Sequence, residues 1–334
     1  MQIEAPTRNL IGMANIKLNT SDQRSPAYDI IGDVHGHYSE LTTLLSQMDY
    51  SCIDGIWQHP RRKAIFVGDF ANRGPQTPEV IQSIRAMVQN HKAYAILGNH
   101  EINMMAYFTH NKKALSLAEP SPAGKKQMEQ IRAQYQGDEE QLQGDVKWLR
   151  TLPFFLSFGH LRVVHAYYNP KHIQLIAQSI SEGKISKKQI KEIIKGKSEF
   201  AQAVNETTRG LELSLPPDLI LKDSKNIRRT RFRIKWWADP RGLTFRDLSF
   251  GNRFVLPDYT IPEQILPLLS PYPAEAPLVF FGHYCIGAQL NIQSPNLCCV
   301  DACVAGHGHL MAYRWDGETE LMKEKILAIP VGFS

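Results

Sequence analysis

One pattern recurs three times in the first third of the chain: a short apolar run, a Gly-Asp or Gly-Asn turn, then a stretch with helical character. Residues 28–36 lead into 38–48, residues 63–69 into 78–89, and residues 93–99 into 101–107. This rhythm predicts β-α-β-α order, and with it a mostly parallel sheet with right-handed crossovers. In such sheets polar chemistry collects where strands end, and all three turns fall at those ends. Further on, residues 154–166 read as a hairpin turning at Gly159-His160. The runs LVFFGH, AQLNI, LCCVD and LMAYRW between residues 278 and 315 read as short strands.

The chain has 334 residues and is 43% hydrophobic, enough to bury a sizeable core. Residues 1–26 read as a loosely tied arm. Residues 27–330 read as one α/β domain with helical insertions near 110–147 and 171–215. The formal charge of +5 suits an anionic substrate without demanding nucleic acid. No apolar stretch is long enough to cross a bilayer, and no signal peptide is apparent. The five cysteines are odd in number and lack zinc-ribbon spacing, so reduced thiols in a cytoplasmic protein are the expectation.

The strand ends carry a consistent set of groups. The first three read Gly32-Asp33-Val34-His35-Gly36, then Gly68-Asp69 with Asn72-Arg73-Gly74 behind it, then Gly98-Asn99-His100-Glu101. His165 follows the apolar run 161–164, and His283 follows Gly282 at the end of another. Asp, Asn and His are oxygen and imidazole donors suited to borderline divalent metals. Residues two apart on a strand share a face, so Asp33 and His35 are expected to reach one ion together. Glu101 reads equally well as a carboxylate orienting a ligand or as a helix-start charge.

GDVHG, GDFANRG and GNHE resemble the GDxHG, GDxVDRG and GNHE motifs of the PPP-type, calcineurin-like metallophosphoesterases, which include phosphoprotein phosphatases and symmetrical diadenosine tetraphosphatases. WADP at 237–240, Gly282-His283 and VDACV at 300–304 extend the resemblance over about residues 28–315. Within the family the chain resembles the cold-active, Shewanella-type protein-tyrosine phosphatases, which carry these motifs in place of a cysteine nucleophile. The resemblance implies a β-sandwich flanked by helices, with two divalent ions (Mn, Zn, Fe or Co) at the strand ends. Asp33, His35 and Asp69 would hold the first ion. Asp69 would bridge to a second, completed by Asn99, His165 and His283. Arg73 would grip the phosphate beside Asn99, His100 would protonate the leaving oxygen, and a metal-activated hydroxide would attack in line. Arg241 and Arg246, just after WADP, are candidates for a second phosphate contact. Two departures matter. Asn72 stands where the family has the aspartate that partners the catalytic histidine. His307-Gly308-His309 stands where it usually has paired glycines, so these histidines line the site or make a tight turn.

The implied function is phosphate monoester hydrolysis, with phosphorylated proteins or peptides as substrates and phosphotyrosine preferred. The rivals are a dinucleoside polyphosphate hydrolase, a Ser/Thr-specific phosphatase, and a decayed phosphatase that only reads phosphorylated partners. Cysteine-based catalysis is excluded by spacing. It needs Cys-x5-Arg, and the residues six beyond the cysteines are Gln58, Asn291, Val304, Ala305 and His309. No phosphate-binding GxxxxGK[ST] loop occurs either. His37, His59, His91, His110, His160 and His172 read as surface or structural. In residues 226–235, NIRRTRFRIK, basic residues alternate with Phe232 and Ile234. That is an amphipathic strand whose basic face is expected in solvent rather than on a substrate-steering rim.

Overall fold

The first strand, β1 (Ala27–Ile31), already shows how the molecule is layered. Alternate residues point to opposite faces. Tyr28 and Ile30 enter one core, while Asp29 and Ile31 face the other way. The structure, a computed structural model, describes residues 27–332 apart from 112, 114, 181–182, 216–220, 223–227, 252–255, 257, 270 and 288–289. The expected arm, residues 1–26, lies outside the described residues.

After β1 come α1 (Tyr38–Gln47), the hairpin β2 (Ser51–Ile53) and β3 (Ile56–Gln58), β4 (Arg62–Phe66), α2 (Thr77–Gln89), β5 (Ala93–Ala95) and α3 (Asn99–Phe108). Then follow α4 (Pro122–Gln134), α5 (Glu139–Leu149), the hairpin β6 (Phe155–Phe158) and β7 (Leu161–Val164), and three helices, α6 (Pro170–Ser179), α7 (Lys187–Lys195) and α8 (Glu199–Arg209). Short strands β8 (Glu212–Ser214), β9 (Leu221–Lys222), β10 (Arg228–Arg229) and β11 (Arg231–Arg233) precede α9 (Phe245–Leu248). The chain returns through β12 (Leu278–Phe281), β13 (Leu297–Cys299), β14 (His309–Trp315) and β15 (Ile326–Pro330).

Two sheets result. One has the order β15-β14-β1-β4-β5, with β1, β4 and β5 parallel. The other has the order β13-β12-β7-β6, with β13, β12 and β7 parallel. Tyr28, Ile30, Ile65, Phe280, Val163 and Tyr313 come from both sheets and share one buried cluster, so the sheets pack face to face. The outer faces bury Phe66 and Phe281 against helices and loops. Leu41, Leu44 and Leu45 of α1 and Val80, Ile81, Ile84 and Met87 of α2 recur at helical spacing and supply the apolar stripes that cover the first sheet. Burying each such side chain is worth about 1.5–3 kcal/mol.

The parallel rhythm over residues 28–107 is as expected, and the architecture is the helix-flanked α/β sandwich. The expected strand AQLNI is described only in part. Residues 288–289 lie outside the described residues, and 290–292 belong to no strand. Among the described residues no helix is long and apolar enough to cross a membrane.

Candidate metal centre and active-site cleft

The carboxyl ends of β1, β4, β5, β7, β12 and β13 deliver Asp33 and His35, Asp69, Asn99, His165, His283 and Asp301 toward one cleft of about 710 Å3. His165 itself is fully buried behind its wall. Asp69 is the hub. Its Oδ2 lies 3.8 Å from His35 Nε2, 3.4 Å from His165 Nε2 and 3.9 Å from His100 Nε2. Asp33 Oδ2 lies 3.8 Å from His35 Nε2 and also accepts the His283 N–H at 3.2 Å. The predicted ligands therefore converge, but not by strand geometry. β1 has ended at Ile31, and His35 sits in the left-handed region with φ 46°. Asp69, Asn72, Arg73 and His283 share that region, with φ of 50°, 74°, 74° and 65°. Such backbone costs of order 1–3 kcal/mol per residue and collects at functional sites.

Two glycines permit the convergence. A Cβ on Gly98 would stand 2.1 Å from Asp69 Oδ1, and one on Gly282 2.1 Å from Asp33 Oδ1. Any side chain there would displace a proposed ligand. The two loops around Asp69 and Asn99 are tied together by Glu101, which is fully buried. Its carboxylate accepts the backbone N–H groups of Asp69 (2.8 Å), Phe70 (2.9 Å), Ala71 (3.2 Å) and Gly98 (2.9 Å). Of the two sequence readings for Glu101, the orienting carboxylate is the one its bonds describe.

The donor set fits divalent cations. Asn99 Oδ1, His165 Nε2 and His283 Nε2 are buried without a hydrogen-bond partner. His35 Nδ1 and His165 Nδ1 face the carbonyls of Ala71 (3.2 Å) and Val67 (2.8 Å). Each ring therefore carries its proton on Nδ1 and turns the Nε2 lone pair inward, the arrangement metal-binding imidazoles use. Burial holds His35 down at about 3, so it is neutral. Asp33, Asp69, Glu101 and Asp301 crowd together in the interior. Burial pushes Asp301 up to about 6 and Glu101 up to about 7, and the charge of Asp69 adds to both. Neighbouring buried carboxylates of this kind call for cations.

His100 differs from the other three imidazoles. Asn72 Oδ1 accepts the Arg73 N–H at 2.7 Å, which turns Asn72 Nδ2 toward His100 Nδ1 at 3.1 Å and Gln127 Oε1 at 3.3 Å. The amide thus donates to His100. Nδ1 of His100 must hold a lone pair, and its proton sits on Nε2, facing the cluster. His100 is accordingly placed as a donor and not as a ligand, although it stands as close to Asp69 as a ligand would. Burial brings it down to about 4.

The candidate arginines divide. Arg73 lines the cleft. Arg241 and Arg246 do not: each is exposed and paired with a carboxylate, Arg241 with Asp239 two residues away and Arg246 with Asp258 at 2.9 Å. In their place Arg209, Arg229, Arg231 and Arg233 reach the cleft. Of the expected solvated face, residues 226–227 lie outside the described residues, and Arg231 is exposed as expected while also lining the cleft. Phe232 and Ile234 are buried as their alternation implied, and Arg229, Arg231 and Arg233 at the alternate positions line the cleft, while Lys235 bonds the Asp247 carbonyl instead. Arg209 had no sequence signal; it is the last residue of α8. Asp301 could have been singled out from VDACV. His307 and His309 lie on the turn before and at the start of β14, outside the cleft.

The cysteines are not all reduced. Cys285 and Cys303 form a disulfide on the cleft wall, joining the loops that follow His283 and Asp301. Spacing could not show this, since neither residue stands in a recognisable pair, and the bridge removes the argument from reduced thiols to a cytoplasmic location. Burial pushes the thiols of Cys298 and Cys299 up, so they are inert. Cys303→Ser is expected to lower the unfolding free energy by about 3 kcal/mol in a urea titration, for a bridge spanning 18 residues. It should leave turnover within about tenfold, whereas loss of a nucleophile costs a thousandfold or more. A thousandfold loss with the fold intact would reinstate a thiolate mechanism.

Among curated relatives, the asymmetrical bis(5'-nucleosyl)-tetraphosphatase PrpE of Anoxybacillus flavithermus is 34% identical over 149 residues, covering 42% of this chain and 56% of that protein. The chain thus spans about half the length of the curated relatives it matches. A protein serine/threonine phosphatase from Saccharomyces cerevisiae aligns with a TM-score of 0.47 at 12% identity, over 91% of this chain and 79% of that one. The cold-active protein-tyrosine phosphatase of a psychrophilic Shewanella aligns with a TM-score of 0.42 at 17% identity, over 88% of this chain and 79% of that one. The calcineurin-like phosphoesterase profile matches residues 28–311, which include every loop that builds the cleft's ligand cluster, and the chain belongs to that family.

Proposed function

We propose that this phosphoesterase hydrolyses phosphate esters with weakly basic leaving groups, phosphotyrosine and other aryl phosphates first among them, in phosphorylated proteins or peptides. The observation that carries the reading is the Asn72 amide donating to His100 Nδ1. Asp33, His35 and Asp69 would hold one divalent ion, and Asp69, Asn99, His165 and His283 a second. Bound ions would polarise the phosphoryl group and activate water. Arg73 offers a planar fork to the phosphate oxygens. His100 presents Nε2–H toward the reacting group. Because an N–H already faces Nδ1, that nitrogen takes up no second proton without expelling the Asn72 amide. His100 therefore supports a leaving oxygen by hydrogen bonding more readily than by full proton transfer. A phenol, with a pKa of about 10, leaves without much help; an alkoxide does not.

Asn72→Asp is expected to raise turnover of phosphoserine relative to phosphotyrosine. The carboxylate would accept from Nδ1–H and stabilise the imidazolium, and general acid catalysis is worth about a hundred- to ten-thousandfold. The measurement is kcat/KM for matched peptides on both forms of the metal-loaded protein. An unchanged ratio would mean that Asn72 does not set the preference.

A second reading, hydrolysis of dinucleoside polyphosphates, is favoured by the arginines in the cleft and by what the curated relatives are named for. A phosphoanhydride also releases a weakly basic group. Turnover of a phosphotyrosine peptide against diadenosine tetraphosphate separates the two.

A further inference from the structure

Arg209 comes from the end of α8 and Arg233 from β11, elements that carry none of the ligand motifs, yet both line the cleft. Their partners set them apart. Arg209 donates from Nε to Asn205 Oδ1 at 3.1 Å and from Nη2 to Asn103 Oδ1 at 3.0 Å. Both acceptors are neutral, and among the described residues no carboxylate lies within ion-pair distance. Burial draws its pKa down, and the nearby Arg233 charge acts in the same direction. Arg233 Nε is buried without a hydrogen-bond partner, and its guanidinium carbon lies 5.7 Å from the centroid of the Tyr284 ring. Glu212, which shares this wall, sits 3.9 Å from Arg231 Nε instead. Both arginines share the cleft wall with His283 and His100.

Guanidinium groups partly withdrawn from water and lacking a carboxylate are costly unless an anion joins them. Their planar forks match phosphate oxygens. Arg73 already serves the phosphate under attack in the reading above. A cleft of about 710 Å3 has room for more than one. We infer that Arg209 and Arg233 form a second phosphate subsite, which binds a phosphate of the substrate other than the one hydrolysed. Such a subsite favours the second reading above, in which the substrates are small molecules with linked phosphates. The subsite rests on the phosphohydrolase reading and deepens its polyphosphate form.

The test compares inorganic tripolyphosphate with 4-nitrophenyl phosphate, which carries one phosphate, on metal-loaded protein. Free manganese is held constant, because tripolyphosphate binds the ion itself. Arg233→Ala and Arg209→Ala are each expected to lower the ratio of kcat/KM for tripolyphosphate over that for 4-nitrophenyl phosphate by roughly ten- to hundredfold, the worth of a charged hydrogen bond. Arg233→Lys and Arg209→Lys should restore part of it. If Arg209→Ala fails to fold, Arg233→Ala and Arg209→Lys decide. An unchanged ratio, or equal losses on both substrates, overturns the subsite and leaves the phosphohydrolase reading standing. A wild-type protein that turns over neither substrate with manganese overturns both.

Discussion

Asp69→Asn is expected to remove nearly all turnover, by at least about a thousandfold, since metal stabilisation of phosphoryl charge is worth several kcal/mol. Among the described residues it is the one carboxylate paired with both His35 and His165. Its Oδ2 faces His35 on one side and His165 on the other, while its Oδ1 accepts the backbone N–H of His100 at 2.9 Å. The amide would keep the size of the side chain and lose the charge shared between two ligand groups. Bound metal, measured on purified protein, should fall from two ions per chain to at most one. Chelation of the unaltered protein should likewise abolish activity, with manganese, cobalt or zinc restoring it. The site built from Asn99, His165 and His283 should empty first, because Asp69 is its single anionic donor. Full activity with one ion, or an Asp69→Asn variant that retains both, would refute the two-ion reading.

Glu101→Gln should cost nearly as much by a different route. The carboxylate accepts four backbone N–H groups from the Asp69 and Asn99 loops. A glutamine presents an NH2 where an acceptor is required, so buried donors face a donor. Leaving such groups unpaired costs about 1–3 kcal/mol each, and breaking a buried charged network about 3–5 kcal/mol. The expected result is a loss of about 3 kcal/mol in unfolding free energy, with metal affinity down by about ten- to a hundredfold. Urea denaturation and metal titration read the two separately. A variant with unchanged stability and unchanged metal binding would show that the loops hold themselves.

The ligand loops were legible because each motif is local. An apolar run sets a strand, a glycine lets the chain turn, and the donor follows within a few residues, so strand order alone gathers Asp33, Asp69, Asn99, His165 and His283 at one edge. What local patterning conveys is which residues are available at a strand end. It does not convey direction. Asp33 and His35 meet through a left-handed turn and not along a strand, and the face that Asn72 shows His100 is set by a backbone N–H from Arg73.

The cationic wall and the disulfide were illegible for a related reason. Arg209 stands at the end of a helix with no pattern around it. Arg231 and Arg233 alternate with buried residues just as a solvent-facing strand would. An alternating strand declares that it has two faces; what the polar face meets depends on what packs above it. Cys285 and Cys303 meet only because β12 and β13 lie side by side and in parallel, which brings the loops after His283 and Asp301 together. The sequence by itself determined the strand ends and the donors on them, through short-range chemistry. Tertiary structure alone decided how those donors are oriented and which cations face them, because both depend on contacts between segments far apart in the chain.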